Sequence, residues 1–352
     1  MKIKIFGLVL ALLTALVPLQ TADAAETLNG AGASFPYPLY SAWAYAYQKA
    51  TGVRVNYQSI GSGGGQRQIV ERTVDFGASD DPVAPAQLKK DTLLQFPAVI
   101  GAITPVVNLP GVKDGQLRLD AEALCRIFLG EIKRWDDARL TAMNPGLKLP
   151  GKEITVIHRA DGSGTTAIFT HYLSETCNAW KTKTGEGKAV QWPAGIGGKG
   201  NEGVANYVKR TSHSIGYVEF AYAKQNKLAS VSLKNRAGNF VEPSFASFEN
   251  AAETAGFDAN KDFHAWLTNA PGKNAWPIAG ATFILLAKEK IDVNKKTIQF
   301  FDWAFEQGDD TARKLVYVPL PPALKNKIRA YWKSKGLSLS SAVLNFRMGS
   351  EV

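Results

Sequence analysis

The sequence predicts a two-lobed α/β protein, and three observations carry that reading. The chain has 352 residues, and a single hydrophobic core seldom grows beyond about 250–300 residues before a chain divides. Runs of alternating or β-branched apolar residues lead through Gly-containing turns into stretches of helical spacing, the βαβ order of parallel sheets covered by helices. Two apolar segments, 99–107 and 282–287, read as buried strands and cut the chain into 25–101, 102–280 and 281–352. A chain that crosses twice leaves one lobe discontinuous. The expected first lobe is therefore 25–101 plus 281–352, the second is 102–280, and the crossing strands form the hinge.

The elements follow in order. Lys2 and Lys4 precede an apolar stretch to about Leu19, and Ala22-Asp23-Ala24 offers small residues before a cut. This pattern predicts a secretory signal peptide over 1–24, cleaved near Ala24/Ala25. The stretch falls short of the roughly 20 residues a membrane span needs, and Pro18 interrupts it. Leu39, Trp43, Tyr47 and Ala50 have helical spacing behind Pro36 and Pro38, with Gly52 as a stop. Val53, Val55 and Tyr57 alternate as a strand. The Gly61-Ser62-Gly63-Gly64-Gly65 turn is expected to lead into a short helix around 66–72, and the next strand, 74–78, ends at Ser79-Asp80-Asp81. Farther on, Ile154-Thr155-Val156-Ile157 is a β-branched run, followed by Arg159-Ala160-Asp161-Gly162-Ser163-Gly164-Thr165 and a helical pattern through Ile168, Phe169, Tyr172 and Leu173.

Composition narrows the function classes. The 41 basic against 31 acidic residues give a net charge of +10, but the excess is thinly spread, without basic runs or a nucleic-acid-binding motif, so no nucleic-acid partner is expected. Cys125 and Cys177 are the only cysteines. In an exported chain they are candidates for a disulfide, two separate structural thiols being the alternative. Their spacing suits no zinc or redox site. The four histidines are scattered and suggest no metal.

Three segments share one design: small residues and a hydroxyl immediately before a helix. They are Ala31-Gly32-Ala33-Ser34-Phe35-Pro36, Gly61 to Gly65, and Asp161 to Thr165. Free backbone N–H groups and the positive end of a helix dipole suit an oxyanion. One such segment is usually only a cap and a turn. Three of them, with Arg159 and two carboxylates at strand ends, point to a ligand site. A Ser163-His158-Asp161 triad fails as a nucleophile elbow because Asp161 stands where the first Gly is needed. Lys199 lies in a P-loop-like string that lacks its first Gly, and Asn201 reads as a helix N-cap.

The strings GAGASFPYPLY, NYQSIGSGGG, VDFGASD, RADGSGTT, WPAGIGGKGNEGVA, IGYVEFAYAKQN and AWPIAGATFILL resemble those of the periplasmic phosphate-binding proteins, the solute receptors of the phosphate-specific ABC importer. The resemblance runs through the chain beyond the leader, in order. It implies a two-lobed type II periplasmic binding protein fold, each lobe a mainly parallel sheet flanked by helices. It implies a periplasmic monomer, not itself membrane-anchored, that binds inorganic phosphate between the lobes. Delivery to an inner-membrane permease follows, with no enzymatic activity, cofactor or metal. The implied ligand contacts are Ser34, the Phe35 N–H, Ser62, Asp80, Arg159, Asp161, Ser163, Gly164 and Thr165; Ser34 stands where Thr is common. Their chemistry fits. Arg159 offers a planar fork of donors, Asp161 can hold that fork, and Asp80 repels an anion that lacks a proton to donate, as sulfate does. A phosphoester hydrolase or a receptor for another oxyanion is the alternative.

Overall fold

The computed structural model describes residues 26–339, so the signal-peptide reading lies outside the described residues. The first lobe opens with three parallel strands, β1 (Thr27–Gly32), β2 (Arg54–Ser59) and β3 (Phe76–Ser79), β1 lying between the other two. The register pairs Gly32 with both Ser59 and Ala78. All three strands therefore release their chains at one edge: Ala33-Ser34, Ile60-Gly61 and Asp80 leave the sheet side by side. This is the edge at which parallel sheets bind ligands.

Helix α1 (Tyr37–Thr51) follows the predicted periodicity, burying Leu39, Tyr40, Trp43 and Tyr47 and stopping at Gly52 with φ 79°. Its aromatic face packs on the helix Ile291–Gln307 through Tyr40–Phe301 and Tyr47–Phe300 ring contacts. Helix α2 differs from expectation. It spans Ser62–Val70, so the glycines form its first turn rather than a turn ahead of it. Glycine is a poor helix former, and the reason it stands here is space. A Cβ on Gly65 would meet Gly32 Cα at 2.5 Å and Ala31 O at 2.6 Å. The bare turn lets the start of α2 press against β1 and lean over the binding edge.

The two predicted buried segments are strands, and they pair with each other. The first, β4 (Leu93–Asn108), pairs antiparallel with Ile278–Ala287 over residues 93–102 and with Ser214–Glu219 over 103–108. The strand Ile278–Ala287 also pairs with β3. In the second lobe, Thr155–Arg159 runs parallel to Ser214–Glu219 and to Ile196–Gly198, with Arg159 opposite Gly198. Parallel strands thus flank the antiparallel crossing pair on both sides. As in the first lobe, strand ends deliver Arg159-Ala160-Asp161, Lys199-Gly200-Asn201 and Glu219 to one edge. The two edges face each other.

Cys125 and Cys177 are bonded, with Cα atoms 6.4 Å apart and a separation of 52 positions in sequence. Cys177 ends the helix Gly164–Thr176, whose first turn carries the candidate anion loop. The bond ties that helix to the helix Ala121–Phe128 and should contribute about 2–4 kcal/mol by restricting the unfolded chain. Among the described residues no helix is long and apolar enough to cross a membrane.

The contact at Gly65 yields a prediction. Gly65→Ala should cost about 1–3 kcal/mol or more, since backbone on both sides must retreat, despite the better helix propensity of Ala. Urea unfolding measures it, and an unchanged or higher midpoint would show that α2 is free to shift.

Candidate functional site

Arg159, 3% exposed, ends its strand with its guanidinium under the sheet edge. Its Nε and Nη2 donate to Asp161 Oδ1 and Oδ2 at 2.8 and 2.5 Å. Asp161 Oδ1 also accepts from the Gly200 N–H at 3.0 Å. Burial acts to raise the Asp161 pKa, but the Arg159 hydrogen bonds and charge, with the Gly200 N–H, prevail and hold it below the ordinary carboxylate value. The pair is ionised. The remaining arm, Nη1, donates to Thr165 Oγ1 at 3.3 Å.

Ser163 caps the helix Gly164–Thr176, its Oγ accepting from Thr166 N at 3.0 Å, and its own N–H donates to Lys188 O at 2.9 Å. That role argues against a nucleophile. His158 turns away from Ser163, with Nδ1 3.0 Å from Arg159 O and its ring stacked on Trp192. Burial lowers its pKa.

From the opposite lobe, Ser62 at the start of α2 accepts from Asp80 N and Gly164 N, both at 3.1 Å. Gly164 must be glycine here, because a Cβ would meet Ser62 Oγ at 2.4 Å and Asp80 Cβ at 2.7 Å. The Gly63 N–H donates to Gly162 O at 2.8 Å, a direct backbone contact between the two anion loops. Asp80 is buried, accepts from Thr282 Oγ1 at 2.7 Å, and has its second oxygen 3.5 Å from Ser62 Oγ. Burial raises its pKa to about 7, against the pull of the Thr282 hydrogen bond, the Arg159 charge and the Ser62 hydroxyl.

The loop from β1 to α1 completes the enclosure. Tyr222 OH donates to Ser34 O at 2.6 Å and Tyr317 OH to Phe35 O at 2.7 Å. No described peptide is cis, so fixing the Ser34 carbonyl aims the Phe35 N–H in the opposite direction, away from Tyr222. All nine predicted positions therefore lie in one cluster at the facing edges, buried except for the partly exposed Asp161. Residues that the sequence reading missed join them: Asn201, Tyr217, Glu219, Tyr222, Thr282 and Tyr317. Asn201 is not the N-cap expected of it. Lys199 is the cap, and the Asn201 side chain reaches Ser34, Thr165 and the Glu219 N–H. Only its place in the GKGNEG string, just beyond a strand end, could have marked it. Outside this cluster, Lys188 Nζ spans the cleft to Asp81 Oδ2 and Gln66 Oε1, both at 2.7 Å.

This arrangement can hold a small tetrahedral anion. One neutralised cation and the hydroxyls of Ser34, Ser62, Ser163 and Thr165 can donate, and the Asp80 carboxylate can accept.

Asp80 also makes stability depend on pH. The carboxyl is raised from its ordinary 3.8 to about 7, so its ionised form costs the folded state on the order of 4 kcal/mol. Below pH 3.8 both states hold the proton and the cost is absent. As pH rises toward 7 the unfolded chain ionises first, and stability falls. In buffer free of oxyanions, Asp80→Asn should therefore be more stable than the native chain at pH 8, by about 2–4 kcal/mol, the gap closing toward pH 4. Urea unfolding at the two pH values decides it; a gap that does not change with pH would mean Asp80 titrates normally.

Comparison with known proteins identifies the family. Residues 18–307 match the PBP superfamily domain. The chain is 56% identical over 313 residues to the phosphate-binding protein PstS of Haemophilus influenzae, covering 88% of this chain and 94% of that one. It is 53% identical over 310 residues to PstS of Xylella fastidiosa, covering 88% and 85%. In fold it is similar to a phosphate-binding protein from Stenotrophomonas maltophilia, with TM-score 0.67, 21% identity and coverage of 87% and 94%. An ABC-type phosphate transport receptor from Vibrio cholerae is similar at TM-score 0.52, 16% identity and coverage of 84% and 100%. Sequence and fold together place this chain in the family of PstS phosphate-binding proteins within the PBP superfamily.

Proposed function

We propose that this protein is the solute receptor of a phosphate-importing ABC system, taking one inorganic phosphate into the cleft and handing it to an inner-membrane permease. The observation that carries this reading is the meeting, at one buried point, of donors from both lobes around Arg159 and Asp80. The lobes in this reading are 25–101 with 281–352, and 102–280; support comes from β4, whose pairing changes partner between residues 102 and 103. The ligand contacts are Ser34, the Phe35 N–H, Ser62, Asp80, Arg159, Asp161 through Arg159, Ser163, Gly164 and Thr165. The protein acts as a monomer in the periplasm, where the Cys125–Cys177 bond persists.

Each part has a stated task. Arg159 meets two anion oxygens while Asp161 cancels its charge, so the ligand is bound by dipoles spread over many groups. Asp80 accepts the proton of monohydrogen phosphate. Sulfate at the same place would set acceptor against acceptor. Because the donors come from both lobes, the ligand bridges them, and closure gives the permease a surface that the open receptor lacks. Ser163 binds rather than attacks, since its oxygen caps a helix and, among the described residues, no base is hydrogen-bonded to it.

Calorimetric titration of the purified protein with inorganic phosphate should show one site per chain, with no turnover of a phosphomonoester in the same sample. Arg159→Lys keeps the charge and loses the fork, and should weaken binding by about ten- to a hundredfold; equal affinity would place the ligand elsewhere. Asp80→Asn should leave phosphate binding within about tenfold while sulfate competes better, because an unmade buried bond costs about 1–3 kcal/mol. Undiminished rejection of sulfate in that variant would assign selectivity to other groups.

A further inference from the structure

A hydroxyl can donate one proton and accept two, and an anion can use it only as a donor. A cage of serines and threonines is therefore useful to an anion only if something holds their protons toward it. Asn201 is fully buried on the first turn of the helix Gly200–Arg210, and every polar atom of its side chain is engaged. Its Oδ1 accepts from the Glu219 N–H at 2.8 Å. A backbone N–H can only donate, so that contact fixes which end of the amide carries the oxygen. The two protons on Nδ2 then go to Ser34 Oγ at 2.8 Å and Thr165 Oγ1 at 3.0 Å.

The two hydroxyls are thereby filled as acceptors. Ser34 Oγ takes the Asn201 side chain and also its backbone N–H at 3.1 Å. Thr165 Oγ1 takes Asn201 Nδ2 and Arg159 Nη1, the latter at 3.3 Å. Each oxygen keeps only its proton, and that proton has the cleft left to serve. Ser34 belongs to the first lobe and Thr165 to the second, so one amide sets both sides. We infer that Asn201 is the positioning residue that obliges Ser34 and Thr165 to donate, and so sets the cleft to count the protons on its ligand. With these hydroxyls confined to donating, Asp80 is the acceptor that remains, and the ligand favoured is one carrying a single proton. This rests on the phosphate-receptor reading and deepens it.

Packing alone makes the opposite forecast for two substitutions. Asp has the shape of Asn and keeps the acceptor for Glu219 N, whereas Ala leaves a hole, so a filler role makes Asn201→Ala the more damaging change. As a positioning residue, Asn201→Asp is the worse one, because its carboxylate draws the Ser34 and Thr165 protons away from the ligand. The experiment is titration with inorganic phosphate at pH 8 and pH 5.5, with thermal unfolding of each variant. Asn201→Asp should weaken binding at pH 8 by about a hundredfold or more and recover part of it at pH 5.5, where a protonated acid can donate again. Asn201→Ala, which frees the hydroxyls to turn, should lose up to about tenfold.

An added negative charge would also weaken binding, and a double-mutant cycle with Ser34→Ala separates the two causes. If the carboxylate acts by capturing the Ser34 proton, Ser34→Ala costs about tenfold in the native background and less than about threefold beside Asn201→Asp. Equal costs in both backgrounds, or a greater loss for Ala than for Asp, overturns the inference. Should Asn201→Asp fail to fold, an Asn201→Ala variant that binds as tightly as the native chain overturns it equally. Native protein that takes up no phosphate defeats the receptor reading itself, a result distinct from any of these.

Discussion

A guanidinium as deeply buried as Arg159 would cost several kcal/mol as an isolated charge, and the site is organised around removing that cost. Asp161 is two residues away and meets the fork with both oxygens, and the Gly200 N–H steadies it from the neighbouring strand end. The pair fixes where the loop from Arg159 to Thr165 lies, and with it the first turn of the helix Gly164–Thr176. Glycines at 61, 63, 162 and 164 let the opposite loop approach within backbone contact. Any side chain there would hold the edges apart. The long antiparallel strand pair lies between the two sets of parallel strands, and the Cys125–Cys177 bond ties the helix behind the second loop to the helix Ala121–Phe128.

With the cation neutralised, direction of hydrogen bonds replaces net charge as the determinant of what fits. Ser34, Ser62 and Thr165 each accept two hydrogen bonds from protein N–H groups. The protons of Ser34 and Thr165 are therefore left for an acceptor in the cleft, whereas Ser62 Oγ also donates to Asp80 Oδ2 at 3.5 Å. Asp80 stands against that uniformity, and burial holds its carboxyl near neutrality. Glu219, also buried and pushed well above the ordinary glutamate value by desolvation, secures the rear of the network through Tyr317 and Ala221. In the proposed reading, one acceptor among many donors is what would distinguish a monoprotonated tetrahedral anion from an unprotonated one of the same size.

Much of this was legible in the sequence, and the parts that were not share a cause. The βαβ order, the crossing strands, and Arg159 with Asp161 follow from short-range patterning, in which residues close in sequence do one job. The resemblance to phosphate receptors named nine candidate contacts, and the facing edges bring those residues together. Helix α2 begins earlier than glycine propensity suggests because its position is set by contact with Gly32 and Ala31, far away in sequence. Asn201, Tyr222, Thr282 and Tyr317 were invisible as site residues for the same reason: each reaches a partner far away in sequence. Local pattern identifies an N-cap or a strand residue, and only the fold shows which hydroxyl it touches.

Neutron diffraction from perdeuterated protein crystallised with phosphate tests the central claim most directly, because it locates the protons on which selectivity depends. The expected map places the hydroxyl deuterons of Ser34 and Thr165 on phosphate oxygens, both Asn201 Nδ2 deuterons on Ser34 and Thr165, and one deuteron between phosphate and Asp80. Hydroxyl deuterons turned toward Asn201, or a phosphate oxygen facing Asp80 with no deuteron between them, would contradict it.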